Sequence, residues 1–102
     1  MAITRICNKY KSAFNILGKK WTGLILRVLQ EGPMKFTDIS NLIPEMSDKM
    51  LGERFRELET QGLITRKVYS TIPVRIEYEL TDKGKGLKPA LDEIQEWAET
   101  WI

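Results

Sequence analysis

The stretch FTDISNLIPEMSDKMLGERFRELETQG, residues 36–62, holds two short amphipathic segments joined by a tight connection. The first predicts a helix from about Phe36 to Leu42, opened near Lys35 or Thr37, with Phe36, Ile39, Leu42 and Ile43 facing inward. Pro44-Glu45-Met46 makes the turn. Ser47 suits an N-cap, because its hydroxyl can accept from a backbone N–H of the next turn, and a helix from Asp48 to Thr60 follows, closed by Gly62. Helices this short are marginal alone. Joined by so few residues, they spell a helix-turn-helix.

On a wheel of about 100° per residue, Leu51, Phe55 and Leu58 fall on one side of the second helix. Lys49, Gly52, Glu53, Arg56 and Thr60 fall on the other. That outer face is either the solvated side of an amphipathic helix or a surface that enters the major groove of duplex DNA. In the second reading Ser47 and Lys49 enter first, and Ser47 donates to a phosphate or base. Lys49 and Arg56 reach guanine edges or phosphates, Glu53 accepts from cytosine, and Gly52 permits close approach.

The flanking sequence favours the groove-facing reading. After Gly62, Leu63 to Tyr69 and Val74 to Leu80 are rich in β-branched and aromatic residues and roughly alternate, with Ile76, Tyr78 and Leu80 on one side. Ser70-Thr71-Ile72-Pro73 reads as a hairpin loop, and such a wing can lay Arg66, Lys67 or Arg75 along the adjacent minor groove or backbone. Lys19, Lys20 and Lys35 are further candidates for phosphates. Upstream, Asn8 caps a helix from about Lys9 to Leu17 that shows Tyr10, Ala13, Phe14 and Leu17 on one face. A helix from about Lys20 to Gln30 then buries Trp21, Leu24, Ile25, Val28 and Leu29, and Glu31-Gly32-Pro33 stops it. Downstream, Thr81 caps a final helix on which Leu87, Leu91, Ile94, Ala98 and Trp101 recur, with Trp97 beside them. The predicted fold is mainly α with a small β-hairpin wing: a winged helix-turn-helix with N- and C-terminal dimerisation helices.

The chain has 102 residues, enough for one domain spanning residues 1–102 with one modest core. No apolar run approaches the roughly 18 residues of a membrane span, and Met1-Ala2-Ile3-Thr4-Arg5 carries no signal-peptide pattern, so a cytoplasmic location without membrane contact is expected. The net charge of +2 conceals an asymmetry: residues 1–30 carry Arg5, Lys9, Lys11, Lys19, Lys20 and Arg27 and no acid. That third is either a solvated lysine-rich face or a surface for an anionic partner. One cysteine and no histidine leave neither an internal disulfide, nor a zinc site of the usual ligands, nor a cysteine nucleophile with its histidine base. The glycines are scattered at helix ends and turns rather than grouped as a phosphate loop. An enzyme is therefore not expected, and no cofactor is implied. A winged helix used only for protein contacts is the other class, separable by salt-dependent binding to duplex DNA.

Cys7 stands between Arg5 and Lys9, with Lys11 beyond, just ahead of a predicted helix start. Nearby cations and a helix N-terminus favour the anionic form of a thiol, the form that reacts; alternatively Cys7 is an inert space-filler at an interface. Leu87, Leu91, Ile94, Trp97 and Trp101 make a stripe that either packs on its own domain or pairs with a twin subunit.

Leu17-Gly18-Lys19-Lys20-Trp21, Gly32, Phe36, Ile43-Pro44, Ser47-Asp48-Lys49-Met50-Leu51, Glu57-Leu58, Gly62-Leu63-Ile64, Arg66, Pro73, Glu77-Tyr78-Glu79-Leu80-Thr81 and Gly84 together resemble the HxlR-type regulators, over nearly the whole chain from Cys7 to Trp97. Ser12-Ala13-Phe14 through Trp21-Thr22-Gly23-Leu24-Ile25 is most similar to the YodB and QsrR branch of repressors that respond to quinones and other thiol-reactive electrophiles. The resemblance implies a homodimer that binds a palindromic operator in double-stranded DNA, with the recognition helix beginning near Ser47. It also implies that Cys7 is the sensing thiol for a quinone, another electrophile or an oxidant. The chain departs from the pattern in its Pro44-Glu45-Met46 turn and in having no second cysteine.

Overall fold

The computed structural model describes residues 5–102. The reading of the first residues as free of a leader falls largely on Met1–Thr4, outside the described residues. Six helices and one hairpin follow in the order α1 (Asn8–Leu17), α2 (Thr22–Leu29), α3 (Phe36–Leu42), α4 (Asp48–Thr60), β1 (Ile64–Tyr69), β2 (Arg75–Leu80), α5 (Asp82–Lys85) and α6 (Lys88–Trp101). The strands pair antiparallel from Ile64 opposite Leu80 to Tyr69 opposite Arg75. Met34 and Tyr78 exchange backbone hydrogen bonds of 2.9 and 2.7 Å, which fastens the segment before α3 to the edge of the hairpin. This is the winged helix-turn-helix expected.

The core lies where α2, α3, α4 and the base of the hairpin meet. Ile25, Leu26 and Leu29 of α2, Ile39 of α3, and Leu51, Phe55 and Leu58 of α4 are buried there with Ile64 and Leu80. Phe55 joins three elements: its ring stacks on Tyr78 of β2 at 4.1 Å and meets the edge of Phe36 of α3 at 5.7 Å. Aromatic pairs in these geometries add about 0.5–1.5 kcal/mol beyond the area they bury. α6 returns across α2, contributing Leu91 to the core and Asp92 to a 2.6 Å ion pair with Arg27.

Several local expectations change. α1 starts one residue early, with Cys7 rather than Asn8 at the N-cap and no side-chain cap bond. α2 starts at Thr22, because Trp21 adopts a left-handed conformation (φ 78°, ψ −22°) that no α-helix continues. Leu26 is fully buried and Leu24 is exposed, since α2 faces the core with Ile25, Leu26 and Leu29. Leu42 is also exposed: α3 ends there, and the turn at Ile43 (φ −127°, ψ 70°) takes Ile43 inward instead. The final helix is two. Thr81 caps the short α5 by accepting from the Gly84 N–H at 3.2 Å, and the chain turns at Gly86 before α6 begins.

Gly84 lies directly beneath the Leu63 carbonyl, and a Cβ there would overlap that oxygen and sit 2.9 Å from Leu80 Cδ2. The backbone must yield to admit any side chain, and overpacking of this kind costs about 1–3 kcal/mol. Gly84→Ala is expected to lower the urea midpoint by a corresponding amount with an unchanged m-value.

Candidate nucleic-acid interface

The geometry of the outer surface begins with how α4 is held. Ser47 Oγ accepts from the Met50 N–H at 3.1 Å, satisfying a donor the first turn would otherwise leave open. Ser40 Oγ of α3 donates to Asp48 Oδ1 at 2.7 Å across the turn, locking the two helices at the point where α4 enters. At the other end the Leu63 N–H donates to the Leu58 carbonyl at 2.9 Å, and Gly62 takes the positive φ of 73° that lets the chain double back into β1.

This frame leaves one face of α4 outward. Ser47, Lys49 and Arg56 are exposed there and Glu53 is half-buried. Arg56 Nη1 lies 3.8 Å from the point a Cβ on Gly52 would occupy, so the guanidinium lies along the groove that glycine leaves. Among the described residues neither Lys49 nor Arg56 forms an ion pair. Their charge is left for an outside anion.

The wing divides its three cations. Residues directly opposite in an antiparallel pair share a face, so Arg66 lies on the side of Tyr78, whose ring packs on α4. Lys67 and Arg75 lie on the opposite side. There Lys67 is paired with Glu79, while Arg75 meets Glu77 at 3.4 Å and stands over the Tyr69 ring at 4.4 Å. The hydrogen bond to Glu79 and its charge raise the Lys67 ammonium above its ordinary value. Arg66 is thus on the recognition-helix side of the hairpin, and Lys67 and Arg75 are not.

The remaining cations are also dispersed. Lys35 opens α3, where its backbone N–H donates to Asp38 Oδ2 at 3.1 Å, and its side chain lines a shallow groove with Thr71 to Ile76 of the wing loop. Lys20 Nζ lies 4.8 Å over the Trp21 ring. Lys19 donates to Glu57 Oε2 of α4 at 3.1 Å. That hydrogen bond and the charges of Arg54 and Lys19 hold the Glu57 carboxyl below its usual range, against an opposing effect of desolvation.

Arg54 was not legible as a functional side chain. Its Nε donates to the Lys20 carbonyl at 2.8 Å and its Nη1 to Glu57 Oε1 at 2.8 Å. The spacing of Arg54 and Glu57 on one helix signals their pair, but nothing in the sequence signals a backbone partner 34 residues away.

Cys7 is exposed, and its carbonyl accepts from the Lys11 N–H at 3.0 Å to begin α1. No side chain of α1 is fully buried; Tyr10 and Phe14, whose tilted rings meet at 4.9 Å, are 60% and 53% exposed. The predicted stripe on the last helix splits in the same way. Leu91 turns into the protein's own core and Leu87 packs against it, whereas Ile94, Trp97 and Trp101 stay exposed. Leu24 and Ile94 line one apolar groove of about 380 Å³ between α2 and α6. Among the described residues no group of three His, Cys, Asp or Glu side chains forms a metal-ligand set.

Comparison with known proteins agrees with this architecture. The HxlR-like helix-turn-helix family matches residues 16–102. The HTH-type transcriptional regulator YodB of Bacillus subtilis is 46% identical over 94 residues, covering 92% of this chain and 84% of YodB. The solved reduced form of YodB superposes with a TM-score of 0.86 at 44% identity, covering 96% of each chain. The quinone-bound form gives 0.82 at 43% identity, over 94% of this chain and all of that one. A two-helix reading unit framed by a wing, matched along nearly its whole length by DNA-binding regulators rather than enzymes, leaves one conclusion: the chain belongs to the HxlR-like helix-turn-helix family of transcriptional regulators.

Proposed function

We propose that residues 1–102 act as a single winged helix-turn-helix domain that pairs with a second copy and binds a palindromic operator as a repressor. The observation that carries this reading is the outer face of α4. Its cations Lys49 and Arg56 have no ion-pair partner among the described residues, whereas Lys19 at the α1–α2 corner and Lys67 and Arg75 on the far side of the wing each have a carboxylate beside them. Ser47, Lys49, Glu53 and Arg56 then meet base edges and phosphates in the major groove, Arg66 meets the adjacent backbone, and Lys20 and Lys35 meet phosphates at the margins. Lys67 and Arg75 contribute less to the contact, since each already has a carboxylate beside it.

Dimerisation is supported by what the chain leaves uncovered: Tyr10 and Phe14 on α1, Leu24 on α2, and Ile94, Trp97 and Trp101 on α6. So many large apolar side chains left exposed on a small domain favour an interface. Burying it against the same surface of a twin gives a two-fold assembly, which sets two recognition helices about 34 Å apart, one turn of the duplex.

Cys7 is the sensor in this reading. Support comes from its exposure at the start of α1, the helix that carries the exposed Tyr10 and Phe14, and from the quinone-bound structure of the similar YodB. The Sγ thiolate adds to a ring carbon of a quinone, the ring takes up the electron pair and a proton, and a hydroquinone thioether results with no further oxidant. An oxidant can instead join Cys7 to a small thiol or to Cys7 of the other subunit. Each outcome adds bulk or a tether where α1 meets the interface, which shifts the half-site spacing and releases the operator.

Three outcomes are expected. In an operator selected from random-sequence duplexes, Lys49→Ala and Arg56→Ala each weaken binding at least tenfold, while Lys67→Ala changes it less than about threefold, measured by anisotropy at fixed salt. Cys7→Ser binds that operator like the wild type but no longer releases it on benzoquinone treatment; release by the variant excludes Cys7 as the sensor. Trp97→Glu halves the mass measured by light scattering and lowers operator affinity at least tenfold, with the helical circular-dichroism signal retained.

A further inference from the structure

The corner between α1 and α2 is a constrained part of the backbone. Gly18 tolerates no side chain, because a Cβ there would lie 2.6 Å from the Phe14 carbonyl oxygen. Three residues on, Trp21 is the single described non-glycine residue with positive φ, at 78°. A large side chain in that region is strained unless its surroundings hold it. What holds it comes from α4. Arg54 Nε donates to the Lys20 carbonyl immediately before Trp21, at 2.8 Å, while Arg54 Nη1 and Lys19 Nζ grip the two oxygens of Glu57 at 2.8 and 3.1 Å.

These four residues form a clamp with one side on the recognition helix and the other on the corner. The Arg54 side chain is 13% exposed, so its charge is withdrawn from water and turned towards the protein, away from the row Lys49, Gly52, Glu53 and Arg56. Phe55 pins α4 at its middle through Tyr78 and Phe36, and Ser40 holds its first turn through Asp48. The Arg54 clamp adds an attachment to the α1–α2 corner, which none of those contacts reaches.

We infer that Arg54 is a positioning residue for DNA reading: by donating at once to the Lys20 carbonyl and to Glu57, it fixes the angle of the recognition helix against the α1–α2 corner and so sets operator discrimination without itself touching DNA. The inference rests on the reading that the outer face of α4 enters the groove. It goes further in making specificity depend on a side chain that points away from the duplex. Lysine cannot replace arginine here, because a single ammonium lacks the planar fork that serves two acceptors at fixed angles.

The test compares wild type, Arg54→Lys and Lys19→Gln on the selected operator and on sonicated genomic DNA, across a salt series, with urea midpoints taken in parallel. Arg54→Lys is expected to lose at least tenfold in the ratio of operator to genomic affinity, and Lys19→Gln about threefold. Genomic affinity and the slope of log affinity against log salt stay at wild-type values. A merely structural loss of folded protein lowers both affinities together and leaves the ratio intact, which overturns the inference. So does a salt slope shallower by about one, the mark of a lost phosphate contact. Lys19→Gln removes only an exposed ion pair, so it keeps the test decisive if Arg54→Lys folds poorly. Lys49→Ala binding the operator like wild type denies the groove-facing reading and the clamp with it. A normal Lys49→Ala loss beside an unchanged Arg54→Lys ratio denies the clamp alone.

Discussion

The stack of Phe55 on Tyr78 is the contact on which the rest of the reading unit depends. α4 has to present its outer face at one height and one angle relative to the wing, and only side chains in its middle can set that height. Phe55 does so by lying between a strand and a helix that are otherwise far apart in sequence. Tyr78 is held in turn by its paired backbone bonds with Met34, so the ladder, the ring and the helix are one rigid stack. Leu51 and Leu58, one turn to either side of Phe55, seal it from water.

Electrostatics divide the surface by a different logic. With a net charge of only +2, the chain has no strong overall field to attract a duplex. Carboxylates offset some of its cations: Glu79 and Glu77 face those on one side of the wing, Glu57 takes Lys19 at the α1–α2 corner, and Asp92 takes both Lys88 of α6 and Arg27 of α2. Hydrogen bonds from Lys88 and then Arg27 keep the Asp92 carboxyl below its usual range. On α4, among the described residues, the cations that stay without an ion pair are Lys49 and Arg56.

Much of the architecture was open to reading from residue order alone. Ser47 as a cap, the length of α4 and its inward Leu51, Phe55 and Leu58 follow from capping chemistry and a 3.6-residue period, which act within one element. The failures share a cause in contacts between elements. Leu24 and Leu26 exchange roles because an eight-residue helix obeys its neighbours more than its own periodicity. Leu91 leaves the predicted stripe because α6 crosses α2 at that point. The wing cations were indistinguishable until strand register assigned Arg66 to one face and Lys67 and Arg75 to the other. Arg54 was invisible because its partner is a carbonyl, and a carbonyl has no letter in the sequence.

α1 contributes no fully buried side chain to the fold of its own chain. Its last turn packs Ile16 and Leu17 partly against the core, but a helix of ten residues has little intrinsic stability in water, so its first turns gain order from whatever covers Tyr10 and Phe14. Where that cover is an identical chain, the ordered helix exists in proportion to the square of the protein's concentration at low levels. Occupancy of a regulated site would then rise with a threshold rather than in simple proportion. A cell that halves its stock of such a regulator loses far more than half of its effect, before any small molecule arrives.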